Sequence, residues 1–187
     1  PNTVQWLRVA SVIGRDFDVG LLDRVAGLEE EELLQALEEA LAAAVVLESA
    51  EQPTRFSFAH ALVREALSEG MSGARRARIH RLVGQALESE GAAPVGELAK
   101  HFTLAAGRDD AEKAIRYAIQ AAEEATARLE HEEAAQHYAR AVVVLRRFEP
   151  DAADRLLSLL LAYGETCVKV GERAQALEVF REAADLA

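Results

Sequence analysis

Cysteine is almost absent from this sequence, and so are long apolar runs. A single cysteine, Cys167, excludes a disulfide within the chain, which favours a reducing compartment such as the cytoplasm. No apolar run reaches the roughly 18 residues that a membrane-spanning helix needs. Residues 1–14 also lack the basic start and cleavage site of a signal peptide. The sequence therefore predicts a cytoplasmic chain with no membrane partner.

Aromatic residues are scarce, and basic residues are outnumbered by acidic ones. Aromatics make up 5% of the chain, whereas the hydrophobic fraction reaches 50% and contains many Ala and Leu residues, which are strong helix formers. This composition favours closely packed helices over a sandwich of β-sheets. The 21 basic and 32 acidic residues give a net charge of -11, which argues against a nucleic-acid partner because such partners need a basic surface.

Sequence motifs that are typical of catalysis or cofactor binding are missing as well. The sequence has no GxxxxGK followed by Ser or Thr, so this chain is predicted not to bind ATP by itself. No Ser, Cys or Thr lies in a nucleophile motif, and the five histidines show no metal-ligand spacing such as HExxH. We therefore expect a chain that is not an enzyme and holds no metal.

The first 70 residues follow the element order of a winged helix. Helices are predicted over residues 4–13, 19–26 and 30–44. Asp18 is placed to cap the start of the second helix, and Gly27 to end it. Two short β-prone stretches, residues 45–48 and 55–58, follow the third helix with a turn between them. Residues 1–70 are therefore predicted to form a winged-helix module with a small β-hairpin.

The remaining chain is predicted to be helical throughout. Residues 71–109 are interpreted as connecting helices, and residues 110–187 as a region of helical repeats. Long helices are predicted in that region at about 110–128, 131–148, 152–170 and 173–187. The connections between these helices are short, so neighbouring helices are expected to pack antiparallel.

One spacing of small and aromatic residues occurs twice in the last third of the chain. Each copy has alanines at offsets 0 and 7, an aromatic residue at offset 4 and a small residue twelve positions before the first alanine. The residues are Ala122, Ala134, Tyr138 and Ala141 in the first copy, and Gly164, Ala176, Phe180 and Ala183 in the second. Small residues let two helices approach closely, and the aromatic ring fills the gap to the next helix.

This spacing resembles the tetratricopeptide repeat, whose period is about 34 residues. The two copies here are 42 residues apart, and an inserted stretch at 148–155 accounts for the excess. Two copies are too few for a stable solenoid, so further repeats are expected beyond Ala187. The predicted fold is mainly α, a winged-helix module followed by tetratricopeptide-like antiparallel helical hairpins.

The order of a winged helix raises the question of DNA binding. In a winged helix the third helix would be the recognition helix. Here that helix and the residue before it carry four glutamates at 29–32, then Glu38 and Glu39, and they contain no Lys or Arg. Such a surface repels phosphates, so direct binding to nucleic acid is disfavoured. The only basic patch either pairs with acidic helices or contacts a partner. It consists of Arg64, Arg75, Arg76, Arg78 and Arg81.

Three stretches together resemble a known family of bacterial regulators. They read ASVIGRDF at 10–17, RFSFAHALVREAL at 55–67 and RRARIH at 75–80. They are similar to the region after the ATPase domain in signal-transduction ATPases with numerous domains, which include the maltose-activator-like LuxR-type regulators and cyclase-linked relatives. The chain departs from the family pattern at Ser68, where Tyr is expected, and at Gly73, where Pro is common.

The resemblance implies a regulatory role within a larger protein. In that family a winged helix packs on a preceding nucleotide-binding domain in the ADP-bound resting state, and a helical-repeat sensor arm follows. A winged-helix histidine reaches the ADP phosphate in related proteins, and His60 is the candidate here. ATP or ADP would then bind the parent protein, while the repeats would bind an inducer or a protein partner.

Two other functions stay open at this point. The chain can be a tetratricopeptide scaffold that binds proteins without any coupling to a nucleotide. It can also be a direct winged-helix DNA binder, which the acidic third helix makes the weakest of the three interpretations. For His60, the alternative to a phosphate contact is that it caps its helix or packs beneath the hairpin.

Overall fold

A computed structural model describes residues 2–27, 30–105 and 107–187 of the chain. The chain divides into two units, Pro1–Ala92 and Ala93–Ala187, and each is described by itself. The elements of the first unit are α1 (Asn2–Ile13), β1 (Asp16–Asp18), α2 (Val19–Ala26), α3 (Glu30–Ala42), β2 (Val46–Glu48), β3 (Arg55–Phe58), α4 (Ala61–Glu69) and α5 (Gly73–Glu90).

Helix α2 begins and ends at the residues that the sequence predicts. The Asp18 carboxylate accepts hydrogen bonds from the backbone N–H groups of Gly20, at 2.8 Å, and Leu21, at 3.3 Å. Gly27 closes the helix in the left-handed region at φ +62°, a conformation that glycine adopts without steric cost.

Helix α3 ends at Ala42, two residues earlier than predicted. Ala44 adopts φ +52°, its N–H donates to the carbonyl of Leu41, and the N–H of Val45 donates to the carbonyl of Ala40. These two bonds form a left-handed helix end that glycine usually provides. Because alanine stands here instead, the sequence carries no visible stop signal.

The predicted hairpin is part of a three-stranded antiparallel sheet with the order β1-β3-β2. Phe17 of β1 lies opposite Phe56 of the central strand, and Val46 of β2 lies opposite Phe58. Strand β1 was not predicted, because three residues between a glycine and a helix cap are too few to show alternation.

The core of the first unit is built around four aromatic residues. Trp6, Phe17 and Phe58 are each at most 2% exposed. The ring of Phe17 has its centroid 6.4 Å from that of Trp6, 6.1 Å from Phe56 and 5.6 Å from Phe58. Aromatic contacts of this kind contribute about 0.5–1.5 kcal/mol each beyond the burial of area. They hold α1 against the sheet.

The second unit is helical among its described residues. Its elements are α6 (Val95–Ala105), a 3₁₀ turn (Arg108–Asp110), α7 (Ala111–Ala127), α8 (His131–Phe148), α9 (Ala153–Val170) and α10 (Arg173–Leu186). Each helix packs on the next one along the chain. The stretch 71–109, interpreted above as connecting helices, is divided between the units. Helix α5 packs on α1 and α2, whereas α6 packs on α7.

The small and aromatic residues of the repeat pattern lie between these helices. The four alanines, Ala134, Ala141, Ala176 and Ala183, are at most 3% exposed, and so is Ala122. Tyr138 is buried and Phe180 is half-buried. The contact at Gly164 is the tightest, because a Cβ atom built there would lie 2.6 Å from the Phe180 ring.

Helix α6 carries the same spacing 36 residues before the first predicted copy. Leu98, Phe102 and Ala105 stand at offsets 0, 4 and 7, and all three are buried. This copy was not predicted from the sequence, because leucine occupies offset 0, where the other two copies have alanine. The pattern of the second unit therefore begins at α6.

The stretch between the later copies is held by Arg155. Its guanidinium donates to the carboxylates of Glu112 on α7, at 2.7 and 3.2 Å, and of Glu149, at 3.0 Å. The hydrogen bond from Arg155 keeps the pKa of the Glu112 carboxyl below its usual value. The inserted residues therefore end in an ion pair that fixes the start of α9 beside the start of α7.

Replacement of Gly164 by alanine tests the close packing of α9 against α10. The added Cβ would overlap the Phe180 ring at 2.6–2.9 Å, so the Gly164→Ala variant should lose about 1–3 kcal/mol of unfolding free energy. Urea denaturation followed by tyrosine fluorescence and circular dichroism measures this loss.

Gly96 on α6 offers the matched control for that experiment. A Cβ at Gly96 has its nearest heavy atoms at 3.8 Å, so Gly96→Ala should be neutral or gain up to about 1 kcal/mol from helix propensity. When Phe180 is replaced by leucine, Gly164→Ala should cause a smaller loss of unfolding free energy, because the ring that the added Cβ meets is gone. Equal effects of the two glycine replacements in the parent chain would contradict the proposed contact.

Candidate functional site

His60 lies where the sheet of the first unit ends. The end of strand β3 is hydrogen-bonded on both sides. The N–H of Phe58 donates to the carbonyl of Arg15, and the N–H of Ala59 donates to the carbonyl of Val45. His60 follows in an extended conformation and α4 begins directly after it. The sheet therefore fixes the position of His60 through its backbone.

The His60 side chain is exposed and makes no capping bond to α4. Its carbonyl accepts from the N–H groups of Val63, at 3.1 Å, and Arg64, at 3.4 Å, so only the backbone takes part in the helix start. The imidazole neither caps the helix nor packs beneath the hairpin, as one reading of the sequence suggested. It is left facing solvent beside the first turn of α4.

Helix α4 presents an apolar face that its own unit leaves open. None of its nine residues is fully buried, and Leu62 in the first turn is 78% exposed. Val63, Ala66 and Leu67 line a concavity of about 400 Å³ against α1, with Arg8 at its edge. We call His60, Leu62, Val63, Ala66 and Leu67 the α4 face.

The five arginines of the predicted basic patch separate into different settings. Arg75 and Arg78 are exposed and line one concavity, whereas Arg64 is half-buried on α4. Arg76 donates to the carbonyl of Ser68 at 3.1 Å and so ties the end of α4 to α5. Arg81 is half-buried and engaged in a contact of its own. The structure therefore brings only two of the five together.

Arg8 on α1 joins Arg75 and Arg78 and was not selected from the sequence. Gln5 and the three arginines surround a concavity of about 190 Å³ with an apolar floor. We call this concavity the arginine groove. Its floor consists of Val9, Val25, Ala26, Met71, Ile79 and Leu82. Arg8, the one charged residue of the mainly apolar helix α1, was the only sequence signal for it.

Helix α3 keeps the acidic character that the sequence shows. The side chains of Glu31, Glu32, Glu38 and Glu39 are all exposed, and Glu39 accepts a hydrogen bond from Thr3. In the part of the chain that the structure describes, α3 carries no basic side chain. This surface repels a phosphate backbone.

Two buried histidines of the second unit occupy equivalent positions in the repeat. His101 on α6 and His137 on α8 each precede the aromatic residue and follow a glutamate by four positions. Each Nε2 atom lies 3.5 Å from that carboxylate, Glu97 or Glu133. Among the described residues no group of three or more His, Cys, Asp or Glu side chains is arranged to hold a metal.

The two histidine–glutamate pairs show different pKa shifts. The hydrogen bond from His101 lowers the pKa of Glu97 from 4.5 to about 2, with help from Lys100. This pair therefore contributes stability above about pH 4.5 that is lost as the pH falls toward 2. At His137, burial and then the charge of Arg140 lower the pKa below its usual value, although Glu133 opposes the shift.

The only thiol is not poised for chemistry. Cys167 is fully buried on α9, and burial raises its pKa, so the reactive thiolate form is suppressed at neutral pH. Desolvation and the neighbouring Cys167 also raise the pKa of Tyr163 to about 12. Both side chains therefore belong to the packing of α9.

The lowered pKa of His137 predicts an acid-sensitive second unit. The unfolded chain takes up the proton near the ordinary value of 6.5, before the folded chain does, so the unfolding free energy should fall as the pH drops from 7.5 to 5.5. His137→Gln should flatten this slope, whereas the matched His60→Gln variant should keep it. Urea denaturation at each pH measures the slope. Identical slopes for His137→Gln and the parent chain would contradict the assignment.

None of the helices in the described parts of the chain is long and apolar enough to cross a membrane. Comparison of the chain with known protein families, with curated protein sequences and with solved structures finds no match. The functional interpretation therefore depends on the two surfaces of the first unit and on the repeat helices of the second.

Proposed function

We propose that the chain is a non-catalytic regulatory region of a multidomain ATPase that controls transcription. Residues 1–70 act as a winged helix that packs on a nucleotide-binding domain of the parent protein and restrains it in an ADP-bound state. The helices of the second unit act as a tetratricopeptide-like sensor arm that binds an inducer or a protein partner and shifts this restraint. The open α4 face is the observation that carries the proposal.

The α4 face supports docking on another domain. Helix α4 packs on α1 but has no fully buried side chain, and Leu62 is 78% exposed. Burial of one such leucine against a partner contributes about 1.5–3 kcal/mol. Val63, Ala66 and Leu67 extend the apolar area along the groove with α1.

The position of His60 supports a contact with a nucleotide phosphate. Its imidazole is exposed, engages none of the described side chains and can donate a hydrogen bond to a phosphate oxygen. The start of α4 next to it has first-turn N–H groups and a positive dipole end, which favour an anion. A domain that covers the α4 face would thus meet the imidazole and the helix start together.

The second unit offers apolar side chains on successive helices. Val143 on α8, Leu161 and Val168 on α9, and Leu177 on α10 are 43–61% exposed. Leu161 and Val168 are seven residues apart, so they share one face of α9. These exposed apolar side chains support binding of a partner helix or an apolar inducer.

The same exposed side chains favour a second candidate, a tetratricopeptide-like scaffold that binds proteins without nucleotide coupling. Direct DNA binding ranks below both, because the described part of α3 exposes glutamates to any duplex. Tight, sequence-selective duplex binding at physiological salt in a fluorescence anisotropy measurement would reverse this order.

Mutation of His60 in the parent protein tests the proposed restraint. Loss of one hydrogen bond to a charged phosphate, worth about 1.5 kcal/mol, should weaken ADP binding roughly tenfold. His60→Ala should therefore weaken ADP binding in a titration and raise the basal transcriptional output. Leu62→Glu should raise the basal transcriptional output as well, because it places a charge on the α4 face.

Glu65→Ala is the matched control for both variants. Glu65 is exposed on the same helix and outside the α4 face, so its removal should leave ADP affinity and basal output unchanged. If His60→Ala and Leu62→Glu also leave both quantities unchanged while the melting temperature is preserved, the scaffold without nucleotide coupling is the better description.

A further inference from the structure

The arginine groove carries an inference that does not rest on the proposed function. Arg8 comes from α1, and Arg75 and Arg78 come from the first two turns of α5. The three side chains meet at one concavity of about 190 Å³, together with the amide of Gln5. Positive charge is thus concentrated at one point of a chain whose net charge is -11.

The charges of the arginine groove have no counterion among the described residues. No described carboxylate lies within ion-pair distance of Arg8, Arg75 or Arg78, whereas Arg24 of the same unit pairs with Glu90. The Nε atom of Arg8 is buried and has no hydrogen-bond acceptor among those residues. Three positive charges at one concavity repel one another, so a bound oxyanion would stabilise this arrangement.

We propose that the arginine groove binds a small phosphate monoester with an apolar or aromatic body. The planar guanidinium group forms paired hydrogen bonds with phosphate oxygens, and these bonds are stronger than those between neutral groups. A phosphate monoester carries a charge of about -1.5 to -2 and suits three arginines better than a single carboxylate does. The apolar floor accepts the body of the ligand.

The size of the groove suits a small ligand. A volume of about 190 Å³ fits a phosphate group and one ring, so we assign the groove to a free small molecule, and the test below distinguishes it from a phosphorylated protein segment. The capped start of α5, where Ser72 accepts from the N–H of Arg75 at 3.3 Å, borders the groove and adds a favourable helix dipole.

Isothermal titration of the full 187-residue chain with phenyl phosphate at low salt tests the proposal. We expect saturable binding that is tighter than binding of inorganic phosphate and that weakens as salt is added. Arg75→Gln and Arg78→Gln should each weaken binding about tenfold, because each removes a charge-assisted contact. These two side chains are exposed, so both variants should keep the melting temperature of the parent chain.

Arg181→Gln is the matched control, since Arg181 is an exposed arginine on α10 in the other unit. It makes the same change in net charge and should leave binding of phenyl phosphate unaffected. Absence of saturable binding at millimolar phenyl phosphate would overturn the proposal, and so would an equal loss of affinity in Arg181→Gln. Binding of a phosphotyrosine peptide without binding of phenyl phosphate would overturn the assignment to a small molecule.

Discussion

The contact of Phe17 with Trp6, Phe56 and Phe58 is the interaction on which the first unit depends. Phe17 sits on the three-residue strand β1 and reaches both the central strand and helix α1. Strand β1 pairs with β3 on the side opposite β2, so the end of β3 is hydrogen-bonded on both sides. The backbone position of His60 and the start of α4 follow from that end of the sheet.

Helix α1 links the two surfaces of this unit. It packs against α4 on one side and against α5 on another, while Trp6 is anchored in the core. Arg8 is one of its few polar residues, and it lies at the edge of the α4 face and within the arginine groove. The two concavities are therefore neighbours that share one side chain, although one is mainly apolar and the other is rich in positive charge.

The sequence predicts the long helices well, because a 3.6-residue apolar period and local caps such as Asp18 are both visible in it. Local signals fail where the deciding contact is remote or the residue type is unusual. Strand β1 forms because β3 pairs with it, and Ala44 takes a left-handed conformation without being glycine. The copy on α6 was hidden by Leu98, and the arginine groove requires residues 8, 75 and 78 to meet in space. His60 was selected from a resemblance, and its exposure could be learned only from the structure.

The distribution of aromatic residues gives each unit its own optical signal. The only tryptophan, Trp6, is buried in the first unit, whereas the three tyrosines, Tyr117, Tyr138 and Tyr163, all belong to the second. Tryptophan emission excited at the red edge of its absorption therefore reports on the packing of the sheet and α1 alone. Absorbance of the tyrosines reports on the repeat helices, so one unlabelled sample reveals whether the two units melt together or apart.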